Sequence, residues 1–127
     1  MTTGFLFDEN LPPALAMQLH RRAPAIRVFA VGYGDAPPWA TRDPDLLCWL
    51  EKHDCWLVTN NRASMPRHLR DHLTEGRHVP GILIIRAPLN FGEVVEGLIL
   101  VHGASLPDEY RDRIEYLPRI RPGEHSL

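Results

Sequence analysis

Three short polar stations interrupt an otherwise apolar first half of the chain. Asp8-Glu9 follows Gly4-Phe5-Leu6-Phe7 directly, Asp43 and Asp45 flank Pro44, and Asn60-Asn61 follows Trp56-Leu57-Val58-Thr59. Carboxylate and amide oxygens are hard donors, suited to Mg2+ or Mn2+, which keep several waters and need few protein ligands. An ion held this way can activate a water and neutralise a phosphodiester during hydrolysis. Asp8, Glu9, Asp43, Asp45 and Asn61 are therefore the candidate metal ligands. Asp8 stands out, because a carboxylate ending a short buried strand has apolar neighbours and needs a reason to be there. The others have structural alternatives: Asp43 can cap a helix, Asp45 can serve a helix dipole, and Asn61 can close a turn on its own backbone.

A basic segment follows the third station. Arg62 directly succeeds the asparagine pair and should lie beside the acidic edge, where its forked guanidinium suits a phosphate. Arg67, Arg70, His72 and Arg77 extend the segment and are read with it as candidate RNA contacts. His68 and His72 have the four-residue spacing of two imidazoles sharing zinc, but no Glu follows His68, so the metalloprotease pattern is absent. A solvated basic face is the simpler reading.

These stations must be positioned by regular elements, and periodicity supplies them. Gly4–Phe7, Ile26–Val31, Trp56–Thr59 and Gly81–Arg86 read as strands, short apolar runs bounded by turn-forming residues. Between them lie helices with apolar residues on one face. The first follows Asn10 and runs to about Arg22 through Leu11, Leu15 and Leu19. The second runs from the Asp43 cap to about His53, the third over Ser64–Glu75 with Met65, Leu69 and Leu73, stopped by Gly76. The fourth starts at Asn90, with the Asn90/Glu93 spacing of a capping box, and reaches about Ala104. Asp108–Leu117 reads as a short helix or an edge strand. Alternation of this kind implies a three-layer α/β/α domain around a central parallel sheet of about four strands with right-handed crossovers. In such sheets ligands bind beyond the carboxyl ends of the strands, where all three polar stations fall.

The whole chain of 127 residues suits one domain, 1–117, followed by a tail, 118–127, expected to be loose. A hydrophobic content of 44% supports a core without metal staples, and no apolar run approaches the ~20 residues of a membrane span. Nothing at the amino terminus resembles a signal peptide, so a cytoplasmic location and no membrane partner are expected. Cys48 and Cys55 fit neither a redox pair nor a zinc knuckle and read as buried thiols. The net charge of −2 excludes a strongly basic nucleic-acid binder, but Lys52 is the one lysine among fourteen basic residues, and arginine is the better phosphate fork. A glycine-rich phosphate loop and a G-x-S-x-G elbow are missing, and a phosphorelay receiver would need an aspartate where Asn60-Asn61 stands.

Phe5-Leu6-Phe7-Asp8-Glu9-Asn10-Leu11-Pro12, Ala40-Thr41-Arg42-Asp43-Pro44-Asp45-Leu46-Leu47 and Leu57-Val58-Thr59-Asn60-Asn61-Arg62 resemble, in order and spacing, bacterial PIN-like proteins, which are similar to the ribonuclease toxins of toxin–antitoxin pairs. The resemblance runs from about Phe5 to Ile85. It implies a compact α/β/α fold, an acidic Mg2+ or Mn2+ pocket, RNA as substrate, and a small antitoxin protein as partner, with a homodimer also compatible. By position, Asp8 matches the first catalytic carboxylate, the Asp43/Asp45 segment matches the second acidic station, with Asp45 taken as its catalytic member, and Asn61 stands where aspartate is common. Two functions follow as expectations: a metal-dependent endoribonuclease, or a catalytically silent PIN-like module that binds RNA or a partner protein.

Overall fold

Five short segments of the chain extend as strands, three of them buried along their whole length and two only in part. In a computed structural model, which describes residues 2–86 and 90–118, these are β1 (Gly4–Phe7), β2 (Val28–Ala30), β3 (Cys55–Thr59), β4 (Ile82–Ile85) and β5 (Ile114–Leu117). The helices between them are α1 (Pro13–Arg22), α2 (Asp43–His53), α3 (Met65–Thr74) and α4 (Phe91–Ala104). The sheet is parallel throughout, in the order β2-β1-β3-β4-β5. It has one strand more than the sequence suggested. Ile114–Leu117, ambiguous between helix and strand, is an edge strand paired with β4.

Alternation along each strand divides the core in two. Phe5, Phe7, Trp56, Val58, Leu83 and Ile85 face α1 and α4, while Leu6, Cys55, Leu57, Ile82 and Ile84 face α2 and α3. The central strands are therefore buried on both faces, as a parallel sheet covered by helices requires. Leu15, Leu19, Leu46, Leu47, Leu50 and Leu98 have no exposed surface beyond 1%. Complete burial of such a side chain stabilises by roughly 1.5–3 kcal/mol, so the helices are held by their apolar faces more than by their caps.

The placement of the helices fixes the hand of the connections. β1 to β2 steps one way across the sheet and β2 to β3 steps back, with α1 and α2 on opposite faces, so these two crossovers share a hand. β3 to β4 and β4 to β5 step the same way, yet α3 lies with α2 and α4 lies with α1. The β4–α4–β5 connection thus has the opposite hand to the other three, a departure from the expected uniform right-handed winding. Coverage explains it. α2 and α3 already fill one face, whereas α1 alone would leave Trp56, Val58, Leu83 and Ile85 uncovered on the other.

Several helix ends differ from expectation. α1 starts at Pro13 with Pro12 before it, and Asn10 is not its cap. Arg42, not Asp43, precedes α2, and no side chain caps that helix. Asn90 does cap α4, its Oδ1 accepting the Glu93 N–H at 3.0 Å. The tail expected to be loose lies, from residue 119, outside the described residues.

Candidate functional site at the carboxyl edge

In this topology β1 is followed in sequence by β2 on one side, while β3 lies on its other side, so the carboxyl ends of β1 and β3 form the switch point where a crevice opens. Asp8 is the first residue beyond β1. Its N–H donates to the Val58 carbonyl at 2.9 Å, which extends the ladder by one step and draws the carboxylate into the sheet, 6% exposed. Thr59, the last residue of β3 and fully buried, donates its hydroxyl to Asp8 Oδ2 at 2.7 Å. The same hydroxyl accepts the Asn61 N–H at 3.1 Å, so one side chain ties the first station to the third.

Asn61 then organises the approach to α3. Its Oδ1 accepts from the Ser64 N–H and hydroxyl, both at 3.2 Å, while its Nδ2 donates to Ser64 Oγ at 2.8 Å and to Asp43 Oδ2 at 3.3 Å. Asn61 is thus a turn residue, as its type allowed, and at the same time a link to the second station. Asp43 Oδ2 also lies 3.4 Å from His68 Nε2 of α3. Glu9 Oε1 accepts the Ala40 N–H at 2.9 Å and so holds the loop before α2 against the first station.

The electrostatics follow from this crowding. Burial raises the Asp43 carboxyl above its ordinary value, His68 opposes that shift, and the charges of Asp8 and Glu9 add to it. Asp43 therefore senses both neighbouring carboxylates at the switch point. Their hydrogen bonds use Oδ2 of Asp8, Oδ2 of Asp43 and Oε1 of Glu9, leaving Oδ1, Oδ1 and Oε2 outside these bonds. Among the described residues, no three His, Cys, Asp or Glu side chains converge closely enough to enclose a metal ion. The donor set fits a hard ion bound through one or two carboxylates and several waters, not a closed protein cage.

The structure separates the residues singled out in the sequence. Asp8, Glu9, Asp43 and Asn61 come together. Asp45, expected to be catalytic, is exposed and joins none of these bonds. Two residues along a helix turn through about 200°, so a helix that presents Asp43 to the site turns Asp45 away. Arg62 lies exposed in the turn between Asn61 and α3, and Arg67 and Arg70 are exposed on α3. His72, grouped with them as an RNA contact, is a correction: it is 5% exposed, with Nε2 3.1 Å from the His78 carbonyl and 3.3 Å from Glu51 Oε1. It ties the end of α3 to α2 and to the segment before β4, and offers little surface to phosphate. Arg77 is exposed, but its Nη1 lies 2.7 Å from Cys48 Sγ. Cys48 is only half-buried, unlike Cys55, and both thiols are free.

Sequence reasoning passed over Thr59 and His68 as site residues. A hydroxyl ending a wholly apolar strand beside a polar pair was a signal for Thr59. His68 meets Asp43 only because α2 packs against α3. No known protein family, curated protein or solved structure matches this chain.

Proposed function

We propose that the chain is a PIN-like, Mg2+- or Mn2+-dependent endoribonuclease, a candidate toxin of a toxin–antitoxin pair, whose working carboxylates are Asp8 and Asp43 with Glu9 in support. The observation that carries this reading is a nearly buried Asp8, at the switch point of a parallel sheet, within electrostatic range of Asp43 and Glu9. Like charges gathered in a partly desolvated crevice are costly unless a cation joins them. A divalent ion bound there supplies Lewis acidity toward a phosphodiester oxygen.

The chain's own residues have distinct tasks in this account. Thr59 fixes the Asp8 carboxylate through Oδ2 and leaves Oδ1 for the ion. Asp43, which holds a proton more readily than an ordinary aspartate, is suited to take the proton of an attacking water. His68 brings its Nε2 to 3.4 Å from Asp43 Oδ2 and so helps to hold that carboxylate in place. Arg62, exposed beside the asparagine pair, meets the RNA phosphate.

One observation favours a second reading, a catalytically silent PIN-like module that binds RNA or a protein. The Asn61 carbonyl is committed to the Ser64 turn, so Asn61 brings neither a charge nor a free oxygen. Cleavage of single-stranded RNA in Mn2+ by Asp8→Asn, Asp43→Asn and Asp45→Asn decides between them. The nuclease reading expects activity to fall at least a hundredfold in the first two variants and by less than about threefold in the third. Absence of metal-dependent cleavage by the purified wild-type chain favours the module.

A further inference from the structure

Beside the acidic edge lies a surface that neither the core nor the carboxylate network uses. Between α1 and the free edge of the sheet at β2 runs a groove of about 570 Å³, lined by Met17, His20, Arg21, Phe29, Tyr33 and Asp35 among others. A volume of this size accommodates a small-molecule or nucleotide-sized ligand. Tyr33, which lines the groove, and Trp39, next to it on the β2–α2 loop, are large aromatic side chains at 51% and 52% exposure. Their rings meet edge to face, 5.3 Å between centroids. Exposing two aromatic rings in contact is costly for a free surface and ordinary for a stacking platform.

The loop is built to hold these rings still. Gly32 has φ +92°, and a Cβ there would overlap the Trp39 indole, so the ring lies directly on the glycine backbone. The Gly32 N–H donates to the Pro37 carbonyl at 2.7 Å and closes the loop. Ala40 follows in the left-handed region, φ 63°, an unusual conformation for a side chain other than glycine. Its N–H donates to Glu9 Oε1 at 2.9 Å, so the strained residue next to Trp39 is anchored on the residue next to Asp8. The start of the loop is equally close to the site, since Ala30 pairs with Phe7 and the Val31 N–H donates to the Phe7 carbonyl at 3.0 Å.

We propose that the Tyr33–Trp39 pair and the adjoining α1–β2 groove bind single-stranded RNA, a base stacking on the exposed rings while Arg21 and His20 face the flanking phosphate. Stacking on aromatic rings is tolerant of base identity and requires unpaired bases, so the site selects single strands over duplex. The charge distribution fits. Arg22 is paired with Glu96, whereas Arg21, its exposed neighbour on the groove side, makes no ion pair among the described residues. Asp35 is the one acid on the groove wall. This inference rests on the reading of the carboxyl edge as an RNA site and adds the element that would hold the strand next to Asp8.

Fluorescence anisotropy of a labelled mixed-sequence 12-nucleotide RNA, in EDTA and low salt, tests the surface apart from catalysis. Tyr33→Ala and Trp39→Ala should each weaken binding by about tenfold, Trp39→Phe by less, and Arg21→Ala by about threefold with a shallower salt dependence. An RNA of the same length with abasic residues should bind at least tenfold more weakly, and duplex RNA likewise. Absence of Mn2+-dependent cleavage by the wild-type chain, with intact, ring-dependent binding in EDTA, would sink the nuclease reading alone and leave the platform standing. Equal affinity for the abasic strand, or binding untouched by both Tyr33→Ala and Trp39→Phe, overturns the platform. Concentration-dependent sedimentation abolished by Tyr33→Ala, with RNA binding unchanged, would assign the rings to a protein interface instead.

Discussion

Two clusters of histidine and carboxylate sit at opposite ends of the same sheet, and their residue types are nearly interchangeable. At the amino end, His72 Nε2 lies within hydrogen-bonding reach of the His78 carbonyl and Glu51, His78 Nδ1 lies 2.7 Å from Asp112 Oδ2, and the Val79 N–H donates to Asp112 Oδ1 at 2.8 Å. Burial alone would raise the Asp112 carboxyl, but the Val79 N–H, His78 and Arg111 outweigh it and hold the group below its ordinary value. At the carboxyl edge, burial and two neighbouring carboxylates outweigh His68, and Asp43 is held above its ordinary value. The amino-end cluster is therefore a finished structural joint, fastening the segments before β4 and β5. The carboxyl-edge cluster is short of positive charge. Composition does not distinguish a fastening from a site; the balance of donors does.

Removing a carboxylate should have opposite consequences in the two places. Asp112→Ala strands the Val79 N–H and the His78 ring, and should cost about 1–3 kcal/mol in urea unfolding. Asp8→Asn in metal-free protein keeps an oxygen for the Thr59 hydroxyl and relieves repulsion, so its cost should lie within about 0.5 kcal/mol or be negative. Equal and large losses at both positions would erase the distinction.

Adding a carboxylate sharpens it further. Asn61→Asp gives up the amide donor to Asp43 and Ser64 and places another anion beside the cluster, so the free protein should lose about 1 kcal/mol. Millimolar Mn2+ should restore that loss and raise cleavage above wild type, because a hard cation gains more from an anionic oxygen than from an amide carbonyl. A stability loss that Mn2+ does not relieve would make position 61 a turn residue alone.

The pH dependence should run in opposite directions. Asp112, with its folded value below the ordinary 3.8, contributes stability that is present above that value and lost as the pH falls through the folded value. Asp43, raised from 3.8, favours the folded state when protonated, and that contribution fades as the pH rises through its folded value. In EDTA, the stability difference between wild type and Asp112→Asn should therefore shrink below about pH 4, while that between wild type and Asp43→Asn should shift in favour of wild type. Parallel titration of the two pairs would contradict the contrast.

The smallest effect concerns the thiols. Cys55, at the buried start of β3, has its pKa raised to about 11 chiefly by burial, whereas Cys48 is half-buried beside Arg77. At pH 8 a thiol reagent should modify one cysteine per native chain and two in urea.

Much of this arrangement was legible in the chain. Phe5–Phe7 ending at Asp8, and Trp56–Thr59 ending at Asn60-Asn61, placed two stations at the carboxyl edge through burial alone. The helical period also held the correct position of His72, seven residues from Met65 and three from Leu69 on the buried face, though its neighbouring arginines drew it toward the surface. Other features were beyond local pattern. Asp43 before Pro44 reads equally as a cap and as a ligand, and only the packing of α2 on α3 brings it to Asn61 and His68. The reversed hand of β4–α4–β5 depends on which face still needed cover, a property of the assembled sheet.

The most direct test of the central claim is a calorimetric titration of Mn2+ into the metal-free protein, with wild type and Asp8→Asn compared under identical conditions. A carboxyl edge short of positive charge should take one Mn2+ per chain at micromolar to millimolar affinity, and Asp8→Asn should weaken that binding at least tenfold. No heat of binding up to 10 mM Mn2+ (roughly the weak end of protein divalent-ion sites), or identical isotherms for the two proteins, would show that the acidic edge does not hold the ion on which the proposed chemistry depends.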